Sequence, residues 1–141
     1  MFQHTTSLRV RYAETDQMGY VYYGQYAAYY EVARTEAFRA LGLPYAAMEA
    51  AGVMLPVIEF GIRYRRPAYY DDLLTLELRL LQLPTASSIR SEIETRNEAG
   101  EVLNTGFTTL VFAAKATGRP TRIPEHIRAR LAPYFELRTE N

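Results

Sequence analysis

The chain contains no cysteine among its 141 residues. This absence excludes disulfide bonds, thiolate metal ligands and a cysteine nucleophile. An excess of one charge is also absent, because 16 Lys and Arg residues balance 16 Asp and Glu residues. No global field therefore attracts nucleic acid or an anionic membrane, and an anionic ligand must be met by local arginine clusters.

Histidines and long apolar runs are scarce. The two histidines, His4 and His126, lie near opposite ends of the sequence, so the spacing indicates neither a catalytic triad nor a metal site. The longest uncharged run, residues 17–30, is shorter than the roughly 20 residues that a membrane span needs. The first residues lack the basic and apolar regions of a signal peptide. We therefore expect a cytoplasmic protein with no membrane span, no metal and no nucleic-acid partner.

What is present is an ordinary globular composition, with 48% hydrophobic and 23% charged residues. This length and composition predict a single domain over residues 1–141. Alternation of apolar and polar residues predicts five β-strands. They cover about residues 7–12, 58–65, 74–80, 88–94 and 102–113, and the turn residues Asn97–Gly100 join the last two in a hairpin.

One long helical pattern runs from Gly24 to Leu41 and ends at Gly42, with Pro44 following. Its first half is apolar or aromatic nearly all round, so we expect burial on most of its sides. Residues 44–51 and 124–135 predict shorter helical segments. Five strands make a sheet about 20–25 Å wide, whereas a helix is about 10–12 Å across. The predicted fold is α+β, a five-stranded antiparallel sheet curled around one long central helix.

Asp16 is the strongest candidate for a catalytic group. It lies in a loop with Gly19, just before the predicted helix, whose first backbone amides carry partial positive charge. A carboxylate fixed beside such amides can hold a polarised carbonyl between them, which is the outline of an acyl-transfer site. The alternative is an aspartate that only caps its own loop. Glu31, on the helix, is a second candidate carboxylate.

A group of basic residues lies on the charged side of the predicted sheet: Arg63, Arg65, Arg66 and Arg90. Arginine is well suited to the phosphates of a large anionic cofactor because its guanidinium presents a fixed fork of donors. A solvated surface is the other interpretation. The sequence leaves both open.

Several motifs are similar to the signature of hotdog-fold acyl-CoA thioesterases, in the subgroup of 4-hydroxybenzoyl-CoA thioesterase and YbgC-type enzymes. They are Arg11-Tyr12, Thr15-Asp16, Gly19, Val21-Tyr22-Tyr23, Tyr26 and Glu31–Arg34, followed by Ile62–Ala68, Asp71-Asp72, Ser87–Ile89 and Arg119–Pro124. Many YbgC-type members have a histidine shortly after the Val-Tyr pair, where this chain has none. The resemblance therefore leans toward the hydroxybenzoyl type.

This resemblance implies a thioesterase that hydrolyses acyl-CoA as a homodimer or homotetramer, with sites between subunits. It implies that Asp16 is the catalytic aspartate, as general base or nucleophile, and that the Tyr23 backbone amide polarises the thioester carbonyl. The expected substrate-binding residues are Gly24, Tyr26, Tyr30, Met54 and Pro56. Coenzyme A, as part of the substrate and not a separate cofactor, is expected to contact Arg65, Arg66, Ser88 and Arg90.

Two other functions fit the same residues less well. A non-catalytic module that binds acyl thioesters would keep the fold, but it has no need for a carboxylate at the reacting carbon. An enoyl-thioester hydratase on this fold normally uses a histidine beside its aspartate, and no histidine lies near Asp16 in the sequence.

Overall fold

The sheet of the protein has five antiparallel strands in the order β1-β4-β5-β6-β3. The computed structural model describes residues 1–136, so residues 137–141 of the predicted domain lie outside the described residues. A separate pair is formed by β2 and β7. The strands are β1 (Phe2–Arg9), β2 (Val53–Met54), β3 (Val57–Tyr64), β4 (Leu73–Leu80), β5 (Ser88–Arg96), β6 (Val102–Val111) and β7 (Ala113–Ala114).

In the described part of the chain, three α-helices accompany the sheet: α1 (Gln25–Ala40), α2 (Tyr45–Ala50) and α3 (Glu125–Leu131). Short 3-10 turns occur at Tyr12–Glu14 and Ala132–Tyr134. The 16-residue α1 is followed by Gly42, whose φ of +75° is a conformation that glycine adopts without strain. Among the described residues, no helix is long and apolar enough to cross a membrane.

The core lies between α1 and the inner face of the sheet, where α1 packs against β1 and β4. Alternate residues of β4 are buried leucines, and the buried side of α1 includes Tyr30, Ala33 and Ala37. The opposite side of α1 is exposed at Ala27 and Ala28. The expectation that the first half of this helix is buried on most sides was therefore wrong, because the sheet covers only one side of it.

Among residues 1–136, β3 is at the edge of the sheet and pairs only with β6. Its apolar residues are 39–61% exposed at Val57, Ile58, Phe60 and Tyr64. The sequence pattern predicted a covered apolar face here. That face is only partly covered in the described chain. Phe60 packs against Tyr30 of α1 and Tyr64 packs against Tyr26, but α1 lies mainly against β1 and β4.

Two predicted strand boundaries were also wrong. The first strand begins earlier, at Phe2, and ends at Arg9 because the Arg11 amide donates to the Glu14 carboxylate and starts a 3-10 turn. The last predicted strand divides at Phe112, whose amide donates to the Ser87 carbonyl outside the β5–β6 ladder at 2.7 Å. The predicted hairpin is confirmed between β5 and β6.

Candidate active site

Asp16 lies in a tight loop that leads from the first 3-10 turn to α1. One carboxylate oxygen, Oδ1, accepts hydrogen bonds from the amides of Met18 at 2.9 Å and Tyr20 at 3.2 Å. The Asp16 amide donates to the Tyr20 carbonyl at 2.7 Å, and Gly19 turns the chain with a φ of +81°. The loop is therefore closed partly by the aspartate itself, as the capping interpretation predicted.

The same aspartate also borders an open cleft of about 280 Å³. Within residues 1–136, no protein group donates a hydrogen bond to its second oxygen, Oδ2. Oδ1 therefore closes the loop, while Oδ2 is left without a protein donor among the described residues.

The start of α1 borders this cleft. The helix has no side-chain cap, and in the described part of the chain the amides of Tyr23 and Gly24 donate to no protein acceptor. The Tyr64 hydroxyl, from the end of β3, donates to the Tyr23 carbonyl at 3.3 Å. A carbonyl oxygen placed here meets free donors and the positive end of the helix dipole.

The other walls of the cleft are largely aromatic. Burial raises the pKa of Tyr26 to about 12. Burial and the neighbouring Tyr23 raise the pKa of Tyr64. Both phenols are therefore uncharged at neutral pH. The full lining is Asp16, Met18, Tyr20, Val21, Tyr23, Tyr26, Tyr64, Arg65, Arg66 and Pro67.

The residues predicted to bind coenzyme A divide into two groups. Arg65 and Arg66 border the Asp16 cleft, where Arg66 is ion-paired with Glu101. Ser88 and Arg90 lie at the start of β5; in register, Arg90 is opposite Thr109 of β6, which is opposite Glu59 of β3. The Arg90 guanidinium lies over the Phe107 ring, 3.9 Å from its centroid, and Arg90 lines a groove with Ile62 and Arg63 of β3. The Asp16 cleft includes neither Ser88 nor Arg90, so the two groups line different clefts.

The predicted acyl-binding residues are also only partly brought together. Tyr26 borders the cleft, and Gly24 is the N-cap residue that directly precedes α1. Tyr30 is fully buried, with its hydroxyl donating to Asn104 Oδ1 at 2.7 Å. Met54 and Pro56 do not line this cleft.

The second candidate carboxylate, Glu31, is exposed and lines a different cleft of about 430 Å³ together with Arg34. Burial lowers the pKa of Arg34. Among residues 1–136, no group of three potential ligands is arranged to hold a metal ion. The structure therefore places Asp16, and not Glu31, beside the start of α1.

Sequence reasoning missed Glu14, a carboxylate that is only 8% exposed. Its side chain accepts hydrogen bonds from the Arg11 amide at 2.8 Å and the Tyr29 hydroxyl at 3.0 Å. A signal was available, because Glu14 and Asp16 are the only charged residues between Arg11 and Glu31. Tyr64 was likewise not assigned to the site.

Comparison with known proteins gives a consistent family. The Thioesterase-like superfamily pattern matches residues 10–131. YneP of Bacillus subtilis (strain 168) is 46% identical over 65 residues, and the match spans 46% of this chain and 47% of YneP, about half of each. The acyl-CoA thioester hydrolase YbgC of Escherichia coli O6:H1 is 30% identical over 122 residues, which cover 86% of this chain and 90% of YbgC.

A solved structure gives the same result. The DHNA-CoA thioesterase of Staphylococcus aureus superposes with a TM-score of 0.86 and 30% identity, covering 97% of each chain. Both the family pattern and the superposition cover most of the chain. The chain therefore belongs to the thioesterase-like superfamily and has its hotdog fold, with α+β architecture and a five-stranded antiparallel sheet.

Proposed function

We propose that the protein is an acyl-CoA thioesterase, which hydrolyses a thioester to a free acid and coenzyme A. The observation that carries this proposal is the position of Asp16 in a cleft at the start of α1, where the amides of Tyr23 and Gly24 have no protein acceptor among residues 1–136. The names of YbgC and of the Staphylococcus aureus structure support the same reaction.

In the proposed mechanism, the thioester carbonyl oxygen accepts hydrogen bonds from the Tyr23 amide and the Gly24 amide. Negative charge grows on this oxygen as the carbonyl carbon becomes tetrahedral, and donors that are already in place lower the barrier. Losing one such donor costs about 100-fold to 1,000-fold in kcat in other hydrolases.

Asp16 acts through Oδ2, by one of two routes. As general base, it takes a proton from water while the water oxygen attacks the carbonyl carbon; the C–S bond then breaks and the proton passes to the leaving thiolate. As nucleophile, it attacks the carbonyl carbon itself and expels the thiolate, and water then hydrolyses the mixed anhydride. Both routes use the same contacts, because Oδ1 remains bonded to the loop amides.

For the substrate, we infer that the acyl group lies against Tyr26 and Tyr64, whose uncharged rings suit aromatic or short to medium acyl chains. We also infer that Arg65 and Arg66, which line the cleft, contact the phosphates of coenzyme A. Ser88 and Arg90 do not line the Asp16 cleft of the same chain, so we infer that their contact with coenzyme A comes from another subunit.

We further infer a homodimer or homotetramer, in which a second copy covers β3. An exposed strand edge with apolar side chains is a ready site for pairing with another sheet, and β3 exposes Val57, Ile58 and Phe60. We also take α1 to be the central helix around which the sheet curls, since Tyr26, Tyr30 and Ala33 are buried on its sheet side.

A non-catalytic acyl-thioester-binding module is the second candidate. One observation favours it. Asp16 Oδ1 accepts hydrogen bonds from two loop amides, and this structural role accounts for an aspartate at this position without catalysis.

The deciding experiment is the Asp16→Asn variant, assayed beside the wild type for thiol release from aromatic, short, medium and long acyl-CoAs. Asparagine keeps the Oδ1 acceptor that closes the loop but removes the basic oxygen. We expect a loss of at least about 100-fold. The matched control is Asp71→Asn, an exposed loop aspartate that is ion-paired with Arg9 at 3.8 Å.

Equal turnover by wild type and Asp16→Asn would remove Asp16 from the mechanism. Binding of acyl-CoA without turnover of any substrate would favour the module.

A further inference from the structure

Glu14 is a buried carboxylate that the proposed mechanism does not use. Besides the Arg11 amide and the Tyr29 hydroxyl, its side chain accepts hydrogen bonds from the Arg11 guanidinium at 3.3 Å and from Gln25 Nε2 at 3.4 Å. Four donors therefore surround it, two on each oxygen. An ionised carboxylate has about four acceptor positions, so Glu14 has none left for water or substrate.

The partners of Glu14 belong to two different parts of the chain. Gln25 and Tyr29 are in the first two turns of α1, whereas Arg11 precedes the 3-10 turn. The backbone carbonyl of Glu14 accepts the Tyr22 amide at 2.9 Å. Glu14 thus connects the two ends of the Asp16 loop to each other and to the helix.

The same residue restrains the segment immediately after it. Thr15 is extended and forms an antiparallel bridge with Val21, and Asp16 comes next. The position of the Asp16 carboxylate relative to the start of α1 is therefore fixed from both sides of the loop. A small displacement of such a group is costly, since about 1 Å of misplacement can reduce a rate by about 100-fold.

We propose that Glu14 is a positioning residue that holds the Asp16 loop against the first two turns of α1 and so sets the separation between the carboxylate and the Tyr23 amide. This inference rests on the proposed thioesterase function. Glu14 acts through Tyr29 and Gln25 and makes no contact with the substrate.

The test compares Glu14→Gln, Tyr29→Phe and the double variant with wild type and Asp16→Asn. We expect each single variant to lower kcat by about tenfold with KM changed by less than about twofold, because geometry and not binding is altered. The double variant should be no slower than Glu14→Gln, since both changes break the same contact. The matched control is Glu77→Gln, a partly buried carboxylate on β4 that accepts from Gln3 and Arg79.

Amide hydrogen exchange supplies a second measurement that needs no substrate. Exchange at Met18, Tyr20 and Tyr22 should become faster in both Glu14→Gln and Tyr29→Phe, while the amides of the β4–β5 pair keep their wild-type rates. Glu77→Gln should leave the loop amides unchanged. If Glu14→Gln does not fold, Tyr29→Phe alone tests the positioning role, because the Tyr29 variant leaves the Glu14 carboxylate and the 3-10 turn in place.

Wild-type kcat and loop exchange in Tyr29→Phe, with Asp16→Asn inactive, would overturn the positioning role and leave the thioesterase proposal intact. A lower melting temperature with uniformly faster exchange and unchanged kcat would also overturn it, by assigning Glu14 to general stability. Equal activity of wild type and Asp16→Asn would instead refute the proposed function, and the loop exchange would still report whether Glu14 holds the loop.

Discussion

Replacement of Tyr64 by phenylalanine tests whether the peptide group between Tyr23 and Gly24 must be held in a fixed orientation for catalysis. The variant keeps the ring, which packs against Tyr26 with centroids 5.5 Å apart, and removes only the hydroxyl that donates to the Tyr23 carbonyl. In a trans peptide the C=O and the next N–H point in opposite directions. The bond from Tyr64 therefore helps to fix the direction of the Gly24 amide, one of the two proposed donors to the substrate.

The size of the effect follows from the geometry of this bond. It is 3.3 Å long and Tyr64 is 48% exposed, so water can partly replace it. A net value of about 0.5–1.5 kcal/mol is typical of a neutral hydrogen bond. The Tyr26 amide also donates to the Tyr23 carbonyl, at 3.3 Å, so one restraint remains. With tenfold in rate for each 1.36 kcal/mol, we expect kcat to fall by about twofold to tenfold.

Steady-state thiol release from an acyl-CoA measures this change, with Tyr70→Phe as the control. Tyr70 is 58% exposed and packs against Tyr12, outside the cleft lining. An unchanged kcat in Tyr64→Phe would refute the role of this bond in orienting the peptide. A loss of kcat as large as that of Asp16→Asn would also refute this orienting role. The Tyr64 hydroxyl would then have to contact the reacting atoms directly.

Three further predictions address stability, binding and pH. Tyr30→Phe removes a buried donor to Asn104 and should lower the free energy of unfolding by about 1–3 kcal/mol in urea denaturation. Adding Asn104→Leu should restore part of that loss, because the unpaired amide is removed. A further loss of stability in the double variant would contradict the prediction. Arg65→Ala should raise KM more at low than at high ionic strength, so an effect independent of salt would argue against phosphate contact. Because burial raises the pKa of Tyr26 to about 12, the stability linked to this phenol is present below about pH 10 and lost as the pH rises toward 12. Melting temperatures between about pH 10 and 12 should therefore fall less steeply in Tyr26→Phe.

Features of the fold that depend on local chemistry could be predicted from the sequence. The β5–β6 hairpin follows from turn residues, and its Gly100 has a φ of +80°, which suits glycine. The partial exposure of the apolar face of β3 could not be predicted, because its pattern is the same as that of a covered strand. Whether such a face is covered depends on where α1 packs, which is a property of the whole sheet.

The candidate site shows the same division. Asp16 could be found because a carboxylate near a glycine and before a helix is a pattern within one segment. Glu14 could not be assigned a role, because its partners Gln25 and Tyr29 are 11 and 15 residues away and meet it only after α1 docks on the 3-10 turn. The different surroundings of the two Asp16 oxygens could not be predicted either, because the sequence offered loop capping and catalysis only as alternatives.

The predicted coenzyme A residues lie in two places in one chain, and pairing of two chains at the exposed β3 edge could bring them together. Within one chain, Arg90 is level with the beginning of β3 and Arg65 follows its end. If two copies pair their β3 edges antiparallel, the beginning of one strand lies beside the end of the other. The partner subunit's Arg90 would then be at the same end of the joined sheet as Arg65 and the Asp16 cleft. The proposal that a second copy of the chain completes the site would therefore account for both the exposed apolar side chains of β3 and the division of the basic residues.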